Sequence, residues 1–334
     1  MYSGLDHVGF AVSDIERSTA WYSELLGDGR DVRRHWERMR DHTFWYGRGG
    51  TASFAISAID AALWDLAGKL AGVPVHRLLG GAVRDRFRAC ASIIWDPGDL
   101  AWTAAEFVGY QASGFTAAKG GWGRSPDAQF GDDPRRDEAC VAAVREAVGP
   151  DFGIAADVSG RLRLDATRAI ALARRLEPYD LMWFEDVLPH EDYEGWRRLR
   201  AAAPMPLATG EREWTPEGYR LRLDVAPVDI VLIDPGRAEG ITGMKIAADD
   251  AAGRGVQVVP HSWSSALNTA AALHVLATCP TAPTFELKPH PSPLQHELVA
   301  EPFDPVDGEV LVPDRPGLGC EVDEAVVERY TLRP

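Results

Sequence analysis

The amino-acid sequence predicts an α/β protein built on a closed barrel of eight parallel strands. From about residue 87 onward, short strand-like runs alternate with amphipathic helical segments, which is the pattern of a parallel sheet built from βα units. Eight such runs can be counted, which is the number that closes a TIM-type barrel. An open doubly wound sheet is the alternative, but no GxGxxG motif follows the first run.

The eight runs are short, mainly apolar, and separated by segments with helical periodicity. They cover residues 88–93, 115–119, 154–157, 181–185, 207–210, 228–234, 256–261 and 284–287. One intervening segment, residues 165–176, carries apolar residues on one face and charged residues on the opposite face. The apolar residues are Ala169, Ile170, Leu172, Ala173 and Leu176. This spacing predicts a helix that packs against the sheet.

Two further elements flank the predicted barrel. The stretch AISAIDAALWDLAGKLAG, residues 55–72, has apolar side chains three and four positions apart. It predicts a single helix that is ended by Gly72 and Pro74. The segment from about Pro302 is rich in proline, glycine and aspartate, and we expect it to cross back outside the barrel.

Length and charge limit the class of protein. A chain of 334 residues with 46% hydrophobic residues can form one large barrel or two smaller domains. The formal charge of -15 argues against binding to nucleic acid or to an anionic membrane, because the protein would repel phosphates. The sequence shows neither an apolar run of membrane-spanning length nor a secretory signal, so a cytoplasmic location is expected.

The cysteines and the negative charge also bear on cofactors and partners. The cysteines lie far apart without CxxC spacing, and they predict reduced core thiols rather than a zinc site or a disulfide framework. They are Cys90, Cys140, Cys279 and Cys320. In so acidic a protein, local cations would have to attract an anionic substrate. A symmetric homo-oligomer is the expected assembly.

Charged or imidazole side chains stand at or just after the ends of strands two to eight. They are Lys119, Asp157, Glu185, Glu211, Asp234, His261 and Glu286. Their spacing is close to the length of one βα unit, about 30 residues. In a barrel, this periodicity brings all seven side chains to one mouth, where the active sites of this architecture lie.

Three acids on consecutive strands predict a metal site. In LMWFEDVLPH, residues 181–190, four apolar residues lead into Glu185 and Asp186, and charge beside buried surface is costly unless it is compensated. Asp157, Glu185 and Glu211 suit a hard divalent cation, with Mg²⁺ the favoured choice, and the ion would offset the charge on Glu185. The alternative is that each acid caps the following helix. Three acids in phase favour the metal.

The remaining groups resemble a proton-transfer set. Asp234 and His261 end neighbouring strands, where a carboxylate fixes the imidazole tautomer and raises the basicity of the other nitrogen. Taken alone, a histidine after a strand is more often an ordinary packed residue, but the neighbouring charged groups favour a role in proton transfer for His261. Lys119 lies across the mouth, and a nearby metal with partial desolvation is expected to lower its pKa. Trp122 and Trp263, next to these bases, are candidates for binding the substrate, although packing is an equally good explanation.

Eight sequence strings, in order along the chain, resemble the mandelate racemase/muconate lactonizing enzyme group of the enolase superfamily. They are AISAIDAALWDLAGKLAGVPVHRLLGG, AAKGGWG, DVSG, WFEDVLP, ATGERE, DIVLIDPGRAEGITGMKIAA, VVPHSW and PDRPGLGCEVDE. The resemblance covers about residues 28–334. It implies a (β/α)7β barrel of the TIM type with an α+β capping domain, and Mg²⁺ bound by Asp157, Glu185 and Glu211.

The resemblance also implies a function. Asp234 and His261 match the family's dyad on strands six and seven, and Glu286 matches the acid on strand eight. Members with this histidine and acid-sugar substrates abstract the proton α to a carboxylate and eliminate the β-hydroxyl, giving a 2-keto-3-deoxy acid. We therefore expect a Mg²⁺-dependent acid-sugar dehydratase, a carbon–oxygen lyase that acts on a small carboxylate. The alternatives are a racemase or epimerase of an α-hydroxy or amino acid, and a catalytically inactive homologue.

The chain departs from the family pattern in two places. Relatives often carry Lys-x-Lys on strand two, whereas Lys119 is followed by Gly120 and Gly121, which argues against a racemase that uses the second lysine. The cap is also short, and we assign residues 28–86 to a reduced cap with its connecting helix, 87–301 to the barrel and 302–334 to the return to the cap. Residues 1–27 form an atypical segment, similar over 5–27 to the first βα unit of glyoxalase proteins, in which His7 would be a metal ligand. One βα unit cannot build that site, so we interpret the segment as inert or misjoined.

Overall fold

The computed structural model describes residues 31–45, 49–159 and 164–331. The glyoxalase-like stretch with His7 lies outside the described residues. Within the described ranges, none of the helices is both long enough and apolar enough to span a bilayer. All the cysteines are buried and free, as the sequence predicts.

Eight parallel strands form a nearly closed barrel, which confirms the predicted fold class. They are β1 Arg86–Ile94, β2 Ala117–Gly121, β3 Gly153–Asp157, β4 Leu181–Glu185, β5 Leu207–Thr209, β6 Ile230–Ile233, β7 Gln257–Pro260 and β8 Thr284–Leu287. Their order in the sheet is β7-β6-β5-β4-β3-β2-β1-β8. At the seam, the backbone N–H of Val258 in β7 donates to the carbonyl of Thr281, just before β8, at 3.4 Å.

Helices alternate with the strands, as the sequence periodicity predicts. They are α1 Val32–His42, α2 Thr51–Ala71, α3 Val75–Leu78, α4 Leu100–Ala112, α5 Pro134–Val148, α6 Ala166–Leu176, α7 Tyr193–Ala202, α8 Pro216–Val225, α9 Gly240–Gly253, α10 Ala266–Ala277 and α11 Glu324–Tyr330. The predicted helix at residues 165–176 is α6, and the Asp165 side chain caps it by accepting from the backbone of Thr167 and Arg168. The predicted helix before the barrel is α2, which ends at Gly72 in a left-handed conformation.

The barrel interior is apolar below the mouth and charged at the mouth. Its buried apolar residues are Cys90, Ala117, Ala155, Trp183, Ala208, Ile230, Leu232 and Val259. Residues two apart on a strand face the same side of the sheet. Trp183 therefore lies directly below Glu185 on β4, and Leu232 lies below Asp234 on β6. The same two-residue period that builds the core also aims the polar side chains at the mouth.

Buried aspartates join α2 to the barrel and to the C-terminal segment. Asp60 accepts hydrogen bonds from the backbone N–H and the hydroxyl of Thr242, at 2.9 and 2.6 Å, near the start of α9. Asp65 accepts from the backbone N–H of Leu318 at 2.8 Å and pairs with Lys69. The C-terminal segment also adds a short strand, β9 Glu309–Leu311, antiparallel to the start of β1. The return predicted from the sequence therefore contacts both the barrel edge and α2.

Candidate active site

Lys119 lies at the centre of the barrel mouth, surrounded by carboxylates from three other strands. Its Nζ is 2.6 Å from Oε1 of Glu185, 3.0 Å from Oε1 of Glu286 and 3.8 Å from Oδ2 of Asp157. All four residues are buried. Side chains from β2, β3, β4 and β8 thus converge at one point, as the spacing of the strand ends predicts.

The two glycines after Lys119 are explained by the packing of β2. A Cβ added at Gly121 would lie 2.8 Å from the Cβ of Asp157, so a side chain at this position collides with that residue. A Cβ at Gly120, on the other side of the strand, would lie 2.3 Å from the Trp95 ring. The second lysine of the Lys-x-Lys pattern therefore has no room here while Asp157 keeps its place.

The adjacent acids Glu185 and Asp186 have separate partners. Glu185 pairs with Lys119 and accepts a hydrogen bond at 2.7 Å from the indole N–H of Trp183, two residues earlier on β4. Asp186 has a φ of 46° and turns away from the ammonium. It accepts from the Thr209 hydroxyl at 2.6 Å and pairs with Arg212 at 2.8 Å. Within the described residues, protein donors therefore compensate both charges next to the apolar run.

His261 and Asp234 form the neighbouring pair predicted from the ends of β6 and β7. Nδ1 of His261 is 2.8 Å from Oδ2 of Asp234, while Nε2 is 3.0 Å from Oε2 of Glu211. The other carboxylate oxygen of Asp234 accepts from the Asn268 amide at 3.0 Å and from the backbone N–H of Gly236 at 2.8 Å. The carboxylate is thus held from two sides and orients the imidazole ring.

Sequence reasoning missed three residues of this network. Arg237 donates to the Glu211 carbonyl at 3.0 Å and lies 3.4 Å from Oδ2 of Asp234. Asn268 and Trp183 hold the carboxylates described above. Only Trp183 carried a usable signal, because its position two residues before Glu185 places both side chains on one face of β4.

Crowding of carboxylates shifts the pKa values around Lys119. Burial raises the pKa of Asp157 to about 7, with Lys119 opposing and Glu211 adding to the rise. Burial also raises the pKa of Glu185 well above its usual value. Burial alone would lower the pKa of Lys119, but the carboxylates of Glu185, Glu286 and Asp157 outweigh it and raise that pKa well above its usual value. The predicted lowering of the lysine pKa assumed a metal ion beside Lys119, and it stays a prediction for the metal-bound site.

The imidazole of His261 and the Glu211 carboxylate form an ion pair. Burial disfavours the imidazolium, but the charge of Glu211 and the hydrogen bonds that the ring donates to Asp234 and Glu211 raise the pKa of His261 to about 10. For Glu211, burial opposes ionisation, but His261 prevails and lowers the pKa of the carboxyl. Proton transfer by Nε2 therefore requires that its contact with Glu211 be released.

The charge and chemistry of the mouth fit a divalent cation. The carboxylates of Asp157, Glu185, Glu211, Asp234 and Glu286 face three cationic side chains, those of Lys119, His261 and Arg237. The acids therefore outnumber the cations, and carboxylate oxygens are the ligands that Mg²⁺ prefers. In the described part of the chain, no three acidic, histidine or cysteine side chains are arranged as a ready metal shell. The Lys119 ammonium instead lies between Asp157 and Glu185.

The two tryptophans proposed for substrate binding lie at different parts of the mouth. The Trp263 indole N–H donates to the Ser92 hydroxyl on β1 at 2.7 Å, so the side chain spans from β7 to β1. Trp122 follows β2 with a φ of 64°, and its backbone N–H donates to the Asp157 carbonyl at 3.3 Å. Both residues are half-buried. Their contact with a substrate stays a prediction.

Comparison with known families identifies the chain. Residues 102–326 match the family described as "Enolase C-terminal domain-like", and residues 23–80 match the mandelate racemase/muconate lactonizing enzyme N-terminal domain. The chain belongs to the mandelate racemase/muconate lactonizing enzyme group of the enolase superfamily. The N-terminal match begins inside the segment assigned from the sequence to an atypical fold.

Curated relatives within the superfamily are enzymes of acid-sugar metabolism by name. The chain is similar to the D-galactarolactone cycloisomerase of Agrobacterium fabrum, with 31% identity over 95% of this chain and 84% of the relative. It is also similar to the D-gluconate dehydratase of Thermoproteus tenax, with 35% identity over 87% of this chain and 59% of the relative. The chain is thus an enzyme of the enolase superfamily.

Solved structures of the superfamily match over nearly the whole chain. The 3,6-anhydro-D-galactonate cycloisomerase from Zobellia galactanivorans has a TM-score of 0.86 and 32% identity, covering 98% of this chain and 90% of its own. A racemase from Streptomyces coelicolor, solved with bound magnesium, has a TM-score of 0.82 and 27% identity, covering 95% of this chain and 85% of its own. These solved structures of the superfamily therefore share the overall fold of this chain.

Proposed function

We propose that this enzyme is a Mg²⁺-dependent acid-sugar dehydratase. It removes the proton α to the substrate carboxylate and expels the β-hydroxyl as water, giving a 2-keto-3-deoxy acid. The observation that carries the proposal is the pairing of His261 with Asp234 in the same mouth as Lys119 and the acids Asp157, Glu185 and Glu211. Among the curated relatives, the name of the D-gluconate dehydratase supports the same reaction class.

Asp157, Glu185 and Glu211 would hold the metal. When bound, Mg²⁺ supplies positive charge to the substrate carboxylate, on which two negative charges develop as the α-proton leaves. The Trp183 indole N–H keeps Glu185 oriented towards the mouth, because it donates to the carboxylate from below. Arg237 holds the backbone of Glu211 through its carbonyl.

The basic residues divide the proton transfers between them. Either Lys119 or His261 takes the α-proton, and His261 returns a proton to the departing β-hydroxyl, so that the C–O bond breaks with release of water. Asp234 holds Nδ1 of His261, which leaves Nε2 as the nitrogen that exchanges protons with the substrate. Glu286, fully buried beside Lys119, is placed to hydrogen-bond an enediolate oxygen when it carries a proton.

Racemisation on the same scaffold is the second candidate. The observation against a two-lysine racemase is Gly121, where a side chain would collide with Asp157. A racemase that uses Lys119 and His261 on opposite sides of the mouth stays open. Solvent deuterium that enters recovered substrate without keto-acid formation would favour it.

Keto-acid formation from a panel of aldonic and aldaric acids with Mg²⁺ tests the proposal. We expect at least one acid to be dehydrated by the wild-type enzyme, and we expect His261→Asn to abolish that reaction while Mg²⁺ binding persists. Unchanged turnover in His261→Asn would remove the histidine from the mechanism. Mg²⁺ binding without turnover of any acid would favour the inactive homologue.

A further inference from the structure

A second group of side chains lies on the rim of the mouth, beyond the end of β8. Lys288 directly follows β8, and its Nζ lies 5.0 Å from the ring centroid of Trp263. The ring of His290 meets the same indole edge-on, with centroids 6.1 Å apart. The Tyr110 hydroxyl is 3.2 Å from Nδ1 of His290. We call Lys288, Trp263, His290 and Tyr110 the rim cluster.

The rim cluster is connected to the residues of the proposed reaction. The Trp263 indole donates to Ser92, and Ser92 is the register partner of Lys119 across β1 and β2. Along the chain, Trp263 stands two residues after His261, and Lys288 stands two residues after Glu286. Since the indole reaches from β7 across to β1, the ammonium over its ring lies on the side of the mouth where Glu286 and Lys119 meet.

Lys288 differs from the other lysines of the chain in its partners. The sequence contains four lysines among 50 acidic residues. Lys69 pairs with Asp65, Lys119 with Glu185, and Lys245 with Asp249. Within residues 31–45, 49–159 and 164–331, Lys288 has no carboxylate partner.

The surroundings of Lys288 favour an anion at this position. The side chain is half-buried, and burial lowers the pKa of its ammonium. The indole face already stabilises the cation from one side. A carboxylate arriving from the mouth would add the charge-assisted hydrogen bonds that the described residues do not supply.

We propose that Lys288 binds a second carboxylate of the substrate, at the end remote from the carbon that loses its proton. The inference rests on the proposed dehydratase function and narrows its substrate class to aldaric acids, which carry a carboxylate at both ends. Trp263 would pack against the carbon chain between those ends. His290 acts as a positioning residue because its ring packs edge-on against the indole, and Tyr110 holds His290 through its hydroxyl.

Matched pairs of monoacid and diacid test the inference. Gluconate with glucarate, and galactonate with galactarate, differ only in whether the distal carbon is a hydroxymethyl group or a carboxylate. We expect the wild-type enzyme with Mg²⁺ to favour the diacid of at least one pair in kcat/KM. Lys288→Gln should lower the diacid-to-monoacid ratio of kcat/KM by about 10- to 100-fold, as for loss of one charged hydrogen bond.

Two further variants separate a charge effect from a general loss of fold. Lys288→Arg keeps the positive charge and should recover much of the ratio. Lys245→Gln removes one cation from the exposed side of α9 and should leave the ratio unchanged. Because the ratio compares two substrates on one enzyme preparation, a partly unfolded variant does not alter it. An equal fall for both acids in Lys288→Gln would overturn the inference.

Binding of the diacids, measured without turnover, tests the Lys288 site independently of the dehydratase function. In the presence of Mg²⁺, glucarate and galactarate should raise the Tm of the wild-type protein more than they raise that of Lys288→Gln. If the diacids stabilise the wild-type protein in this way but no acid is turned over, the dehydratase function is wrong and the diacid site is supported. If only monoacids are dehydrated and no diacid binds, the dehydratase function is supported and the diacid site is wrong. If no diacid is either bound or turned over, the inference is wrong.

Discussion

Replacing Gly121 with alanine tests whether the absence of a side chain at this position of β2 makes room for Asp157. A Cβ at this position would lie 2.8 Å from the Cβ of Asp157 and 3.1 Å from its Oδ2. Gly121 does not have a positive φ, so alanine is allowed by the backbone. The substitution therefore isolates the collision with one proposed metal ligand.

The size of the effect follows from these contact distances. Carbon atoms pack at about 3.5 to 4.0 Å, so Asp157 or its strand must move by roughly 1 Å. Overpacking of this kind costs about 1 to 3 kcal/mol of stability, and a gain of about 0.5 kcal/mol from the stiffer unfolded chain offsets part of it. A 1 Å displacement at a reacting site costs about 100-fold in rate. We expect Gly121→Ala to lose about 1 to 2 kcal/mol of unfolding free energy and about 100-fold in keto-acid formation.

Gly120→Ala on the same strand is the matched control. Its Cβ would meet the Trp95 ring at 2.3 Å, outside the barrel, and leaves Asp157 untouched. We expect a larger loss of stability in urea unfolding than for Gly121→Ala, and kcat within a few-fold of the wild-type value for the folded fraction. Wild-type turnover in Gly121→Ala, or the same loss of turnover in both variants, would refute the steric reasoning.

Two other predictions concern a buried acid and a positioning residue. Burial raises the pKa of Asp60 from 3.8 to about 7, so the folded state keeps this proton to a higher pH than the unfolded state does. The free energy of unfolding therefore falls as the pH rises between those two values. Asp60→Asn should therefore gain about 2.5 kcal/mol relative to wild type between pH 5 and pH 8 in urea unfolding; parallel pH dependences would contradict this. Asn268→Ala removes one donor to Asp234 and should lower kcat by about 10-fold and shift the pH–rate profile, with little change in Tm. An unchanged profile would limit Asn268 to packing.

Residues that share a strand face could be read from the sequence. The seven strand-end side chains meet at one mouth because parallel strands end at one edge, and the period of a βα unit is visible in the chain. Pairs such as Trp183 with Glu185 follow from two-residue alternation. The fold class and the convergence of Lys119, Asp157 and Glu185 needed no more than these two rules.

Partners that come from distant loops and helices could not be predicted. Asn268 on α10 and Arg237 before α9 resemble many other polar residues of the chain, and only tertiary packing brings them to Asp234. The effect of the surrounding carboxylates on the pKa of Lys119 could not be predicted for the same reason. The direction of the pKa shift of Lys119 depends on how many carboxylates face the ammonium, and spacing along the chain does not give that number.

Calorimetric titration with Mg²⁺ tests most directly whether Asp157, Glu185 and Glu211 form one metal site. We expect one Mg²⁺ per wild-type chain. Glu185→Gln should lose this binding, whereas Asp186→Asn should keep it, because Asp186 turns away to Thr209 and Arg212. No binding to the wild-type protein, or an equal loss in both variants, would contradict the proposed metal centre.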